Sequence, residues 1–178
     1  MRQFNLDYST PVPGSSTTLG TLISVYAANT VMVKVLEFVE GKIDFAAPLN
    51  HGPEKGKTPA IVAAANGHVN VLKFLDGKVD LAAPIQEGIW KGDTVASMAA
   101  RKGQVKVLEF LNGKVDFAAP IKIAGSDKVK TIALLANNSG DNKALSFFAD
   151  DVTLIDKVLP FLIEEEELGP FRLAILLR

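Results

Sequence analysis

The chain has 178 residues, 48% of them apolar, enough for one continuous core in a single folded unit. Its 19 basic and 20 acidic residues leave a net charge of −1, so no general field draws it to nucleic acid or an anionic membrane. The lack of cysteine removes disulfides and thiolate metal sites, and two histidines leave little for an imidazole site, so neither a metal nor a cofactor is expected.

The opening MRQFNLDYSTPVPG lacks the apolar core of a signal peptide, and no 18-residue uncharged apolar run follows, which points to the cytosol and away from a membrane. Leu6-Asp7-Tyr8-Ser9-Thr10-Pro11-Val12 lies 37 residues ahead of Ile43-Asp44-Phe45-Ala46-Ala47-Pro48-Leu49. Residues 1–20 therefore read as the hairpin half of a repeat. The missing helices would lie upstream, and Met1 favours a natural start. Thr21, Thr58, Thr94 and Thr131 then each open an alanine-rich helix at spacings of 37, 36 and 37. They divide the chain into repeats over 21–57, 58–93 and 94–130 and a helix pair over 131–150.

Residues 58–85 show how one copy is built. Thr58 is a suitable N-cap, and Pro59 has no amide to leave unpaired in the first turn. Small side chains in AIVAAAN allow a neighbouring helix to approach, and Gly67 closes the helix. A second helix, VNVLKFLD, carries Val71, Leu72, Phe74 and Leu75 as one apolar stripe that only a further repeat can cover. After Gly77 the chain runs extended through Val79-Asp80-Leu81 to Ala82-Ala83-Pro84 and a polar loop. Residues 151–178 lack the AAP segment and read as two helices, one capped by Asp151 and one with Pro170 in its first turn, forming a C-terminal helical cap.

These motifs resemble the ankyrin repeat. TPAIVAAANGH is similar to that family's TPLHxAAxxGH, VNVLKFL to its VxVVxxLL, and GKVD stands where the family has GADVN. The resemblance spans about residues 6–149 and implies an all-α repeat solenoid of helix-turn-helix pairs joined by β-hairpin-type loops. Two departures recur. Ile61, Ser97 and Ser24 replace the histidine of TPLH, so its side-chain bonding must be replaced or lost, and the period exceeds the family's 33, which lengthens the hairpins.

Several apparent sites dissolve into the repeat. GPEKGKT (52–58) is one residue short of a phosphate cradle and joins a hairpin to a helix. His68 fills the family's GH position, where Gln104 stands in the next copy, a structural role. His51 has no serine or carboxylate partner that the register foretells. Phe38, Phe74, Phe110 and Phe147 recur at 36, 36 and 37 and are expected to stack in the core, with Phe45, Leu81 and Phe117 packing beside them. Asp150-Asp151 and Glu164 to Glu167 read as a cap and a solvated face, so catalysis is not expected.

What the period does not dictate is the candidate site. Ile89 and Trp90 occupy a loop tip where other copies have Pro53-Glu54 or Gly125-Ser126, and they either anchor a partner or fold back over the neighbouring hairpin. The residues before each inter-helix turn, Ala28-Asn29, Ala65-Asn66, Arg101-Lys102 and Asn138-Ser139, vary while the framework repeats. Trp90, Ile89, Lys91, Arg101, Lys102, Asn66, Asn29, Glu54, Lys55 and Lys128 are thus the expected partner contacts, with the aromatic as anchor and the cations selecting an acidic patch. The expected function is protein binding by a concave face and hairpin tips. The alternative is an architectural or oligomerisation block, or a fragment of a larger multidomain protein. A monomer is expected, with an end-to-end dimer as the other outcome. The resemblance also implies settings such as eukaryotic scaffolds and proteins that intracellular bacteria deliver into hosts.

Overall fold

The computed structural model describes residues 6–122, 129–137, 142–149 and 155–156. Among these the chain is mostly helical, in four pairs: α1 (Leu19–Asn29) with α2 (Val33–Val39), α3 (Pro59–Ala65) with α4 (Val69–Leu75), α5 (Val95–Arg101) with α6 (Val105–Leu111), and α7 (Ile132–Asn137) with α8 (Asn142–Ala149). First helices pack side by side, α1 on α3, α3 on α5 and α5 on α7; second helices do the same from α2 to α8. The alanines make this possible. Ala27, Ala28, Ala63, Ala64, Ala99 and Ala100 are all buried, so the first-helix axes close on one another without side chains to hold them apart.

Thr58 and Thr94 cap α3 and α5 as expected, each accepting the amide three residues on. Thr21 does not cap α1. That helix starts a turn earlier, with Thr18 as N-cap and Thr21 buried inside it, because the N-terminal hairpin pairs Pro11 with Thr18 and delivers the chain there. The inter-helix turn also shifts in the first copy. Gly67 and Gly103 take positive φ, and their equivalent at 36 residues' distance is Val31, at φ 61, so the variable pair of that copy is Asn29-Thr30 rather than Ala28-Asn29.

The chain leaves α2, α4 and α6 by the same turn, which also occurs at Asp7 in the N-terminal hairpin. The carboxylates of Asp7, Asp44, Asp80 and Asp116 each accept the backbone N–H two residues later, at 2.8–2.9 Å. Phe45, Leu81 and Phe117 follow and are buried as expected, each contributing roughly 1.5–3 kcal/mol. Hairpins then project before each following first helix. Leu49 and Lys57 close one, Ile85 and Asp93 the next, and β1 (Ile121–Lys122) pairs antiparallel with β2 (Val129–Lys130) in the third.

The phenylalanine ladder is not in the core. Val71, Leu72 and Leu75, with Val107, Leu108 and Leu111, fill the buried face, and Phe74 and Phe110 sit half-buried at its rim while Phe38 is 65% exposed. A helix offers about a third of its circumference to a neighbour, and a fourth apolar position falls outside it. Lysine covers these rings instead: Lys42 lies 3.8 Å from the Phe38 centroid, Lys78 4.4 Å from Phe74 and Lys114 5.2 Å from Phe110. Among the described residues only Phe148, at the register of Leu111, is a fully buried ring.

Lys128, Asn138-Ser139 and the turn at Gly140 lie outside the described residues. So does the expected cap over 151–178, apart from Ile155 and Asp156, which are helical.

Candidate partner-binding surface

Consecutive hairpins interlock before they reach solvent. A Cβ at Gly56 would strike the carbonyl oxygen of Glu87, and one at Gly88 that of Lys55, so the two backbones are in contact where both residues are glycine. Lys55 pairs with Glu87 at 3.0 Å across the same junction. Trp90 completes it. Its ring lies 4.5 Å from Lys57 Nζ, and its Nε1 donates to the carbonyl of Pro53 at 3.3 Å. Lys57, dismissed with the false phosphate loop, is 6% exposed and pairs with Glu54 at 2.5 Å. Burying an ammonium is costly unless it is paired in this way.

Most of the expected contact residues are therefore occupied within the protein. Trp90 is half-buried as a clamp between hairpins, and Glu54 and Lys55 are its neighbours in ion pairs. Asn66 Nδ2 donates to Asn29 Oδ1 at 3.0 Å and to the Val62 carbonyl at 2.9 Å. His68 reaches the Asn29 carbonyl at 3.1 Å, and Gln104 donates to the Ala65 carbonyl at 3.2 Å, the same bond one repeat on. That gives His68 its structural role.

Arg101 is similarly engaged. Asp93, 1% exposed at the end of the second hairpin, accepts from Arg101 Nε at 3.1 Å and from Ser97 Oγ at 2.8 Å, leaving its Oδ2 buried without a partner. Ser97 also exchanges bonds with Thr94 in a capping box. Ser97 thus ties hairpin end to helix start inside its own repeat.

Six expected contacts are exposed: Asn29, Glu54 and Asn66, which are tied by the bonds above, and Ile89, 69% exposed at the hairpin tip, Lys91 beside it, and Lys102 at the far end of α5. Neither lysine makes an ion pair with a described residue. Between the bases of adjacent hairpins runs an apolar cleft of about 290 Å³, walled by Ala46, Pro48, Ile61, Pro84 and Ile85. One repeat earlier the same place holds a cleft of about 270 Å³ beside Tyr8, Ile43 and Pro48.

His51 does have serine near it. Its Nδ1 lies 2.7 Å from Ser15 Oγ and 3.1 Å from Thr17 Oγ1 across neighbouring hairpins. The serine is 36 residues away, one period, a signal the register carried. Ser15 Oγ also accepts the Thr17 amide at 2.9 Å, and Thr17 Oγ1 accepts that of Asn50 at 2.9 Å, so this cluster is a hairpin lock. No described carboxylate orients the ring from its other side.

No group of three or more histidine, aspartate or glutamate side chains able to hold a metal occurs among the described residues. No described helix is long and apolar enough to cross a membrane. The chain matches no protein-family model and no curated protein sequence. Its internal period and the geometry of its hairpins are what bear on function.

Proposed function

We propose that this chain is an ankyrin-like repeat module that binds another protein through its hairpin tips and the adjoining ends of its first helices. One observation carries the reading: an apolar side chain, Ile89, is held out at 69% exposure on a hairpin that its neighbour locks in place. Rigid presentation lowers the ordering cost of association, which flexible loops must meet from their contact energy. Lys91 and Lys102 add positive charge that no described residue pairs with, so the partner is a protein with an apolar side chain beside acidic groups. The clefts between hairpin bases offer room for further apolar side chains of that partner.

Affinity capture with the full chain, compared with Ile89→Asp and with Lys91→Glu combined with Lys102→Glu, tests this. Both variants are expected to lose the captured protein while keeping the parent melting temperature. Undiminished capture by both overturns the reading.

A further inference from the structure

The larger cleft at the hairpin bases has linings of two kinds. Ile61, Ile85 and Val95 give it an apolar floor, and Pro48 and Pro84 rise from the two hairpins that bound it. The charged side chains that line it, Asp80 and Glu87, are both acidic, and no described lysine or arginine joins them. Lys55, which pairs with Glu87, does not line the cleft. The matching cleft one repeat earlier differs. Lys42 accompanies Asp44 there, so the charges cancel, and Ser9, Ser16 and Asn50 make its walls polar. An excess of negative charge over an apolar floor is thus particular to the larger cleft.

The fold does not need that charge. Asp80 accepts the Ala82 amide at 2.8 Å to form its turn, a bond that the side-chain oxygen of an asparagine makes as well. Asp76, at the end of α4, is paired with Lys114, whereas exposed Asp80 forms no ion pair with a described residue. An unpaired carboxylate beside an apolar recess suits a cation carried on an apolar stem. Arginine has that form: its methylenes can lie on the floor while its planar guanidinium reaches both carboxylates. The recess, about 290 Å³, is at the lower edge of the range for small-molecule sites, about 300–1,000 Å³, and so fits one side chain better than a free ligand.

We infer that this cleft takes an arginine side chain of the protein partner, with its stem on Ile61, Pro84 and Ile85 and its guanidinium on Asp80 and Glu87. The inference rests on the proposed function for the partner's being a protein. It uses none of Ile89, Lys91 and Lys102, which do not line the cleft, so it stands or falls apart from the hairpin-tip contact.

NMR titration of the isotope-labelled full chain with the end-blocked pentapeptide Gly-Pro-Arg-Pro-Gly tests it. The amides of Ala82, Ile85 and Glu87 are expected to shift and to saturate at millimolar peptide. The same peptide with citrulline for arginine keeps the stem and loses the charge, and is expected to bind about tenfold more weakly. Asp80→Asn, which keeps the turn bond, is expected to weaken the arginine peptide about five- to tenfold at the parent melting temperature. Ala83→Leu, which narrows the cleft, is expected to weaken it as well. Ile89→Asp is expected to bind the peptide as the parent does, so the two readings are tested by separate variants. The citrulline comparison uses the unaltered chain and stands even if a variant misfolds. Absence of saturable shifts at these amides, equal binding of the citrulline peptide, or parent-like affinity in folded Asp80→Asn or Ala83→Leu overturns the inference.

Discussion

The indole Nε1 of Trp90 donates to the carbonyl oxygen of Pro53, 3.3 Å away and 37 residues earlier, so the only tryptophan of the chain is a clamp between successive hairpins. Its ring also covers the buried ammonium of Lys57. Trp90→Ala is expected to lower stability by roughly 2 kcal/mol, about half the loss at a fully buried tryptophan, because one side of the ring faces solvent. Trp90→Phe keeps a ring over Lys57 and loses the hydrogen bond, at a cost of about 1 kcal/mol. Urea denaturation followed by circular dichroism separates the two, and an alanine variant as stable as the parent would refute the clamp.

Val31 occupies the left-handed turn position that glycine fills in the next two copies. A β-branched residue there bears about 1–2 kcal/mol of strain, whereas glycine costs roughly 0.5–1 kcal/mol in unfolded-state entropy. Val31→Gly is therefore expected to stabilise the chain by up to about 1 kcal/mol, with a matching rise in melting temperature. Gly103→Val, which imposes the same strain on an interior turn, is expected to destabilise by about 2 kcal/mol or more. If both substitutions move stability in one direction, the turn assignment is wrong.

These two sites mark what the sequence could and could not convey. Thr58, Thr94, Gly67 and the buried Phe45, Leu81 and Phe117 were legible because each role needs a particular residue type at a fixed offset. The start of α1 was not, since Thr17, Thr18 and Thr21 are all competent caps and a distant pairing, Pro11 with Thr18, chooses among them. Val31 gave no signal because a turn without glycine leaves no mark. The phenylalanines were misassigned because periodicity finds the apolar stripe and not its edges, which the lysine four residues on defines. Whether Trp90 faces a partner or folds over the neighbouring hairpin was not legible, and Arg101 looked like surface, because their partners, Pro53 and Asp93, lie in loops whose approach no helical period encodes.

Lys114 covers the ring of Phe110 and pairs with Asp76 at 2.7 Å in the repeat before it, and Lys78 does the same with Phe74 and with Glu40 at 3.4 Å. All these groups are partly solvated, so each ion pair contributes little. A double-mutant cycle of Lys114→Ala and Asp76→Ala is expected to give a coupling of about 0.5 kcal/mol that fades in high salt. Lys114→Met, which keeps the stem over the ring, is expected to cost less than Lys114→Ala. A coupling unmoved by salt would contradict the ion-pair account.

The Asp7 carboxylate is held below its ordinary pKa, first by the Ser9 hydroxyl at 2.6 Å and then by the Ser9 amide at 2.9 Å. A depressed folded-state value makes its contribution complete above the unfolded pKa and removes it as the pH falls through the folded one. Asp7 is fully exposed, so the midpoint is a better readout than stability. Carbon-detected NMR titration is expected to place Asp7 below an ordinary aspartate, and Ser9→Ala to raise it. No change in Ser9→Ala would show that the hydroxyl is not the cause.

Asp93 joins hairpin to helix through one oxygen, with Ser97 and Arg101 as donors, while its other oxygen is buried and unpaired. Removing Arg101 leaves a buried carboxylate with one donor fewer, so Arg101→Ala is expected to destabilise by about 2 kcal/mol, more than a surface arginine would. Asp93→Ala removes the desolvated charge together with its bonds and is expected to cost no more than Arg101→Ala. With Asp93 already alanine, Arg101→Ala should cost almost nothing, because the guanidinium has lost the group it neutralised. Thermal denaturation of the two single variants and the double variant measures this directly. Additive losses would return Arg101 to the outward surface and restore it as a partner contact beside Lys102.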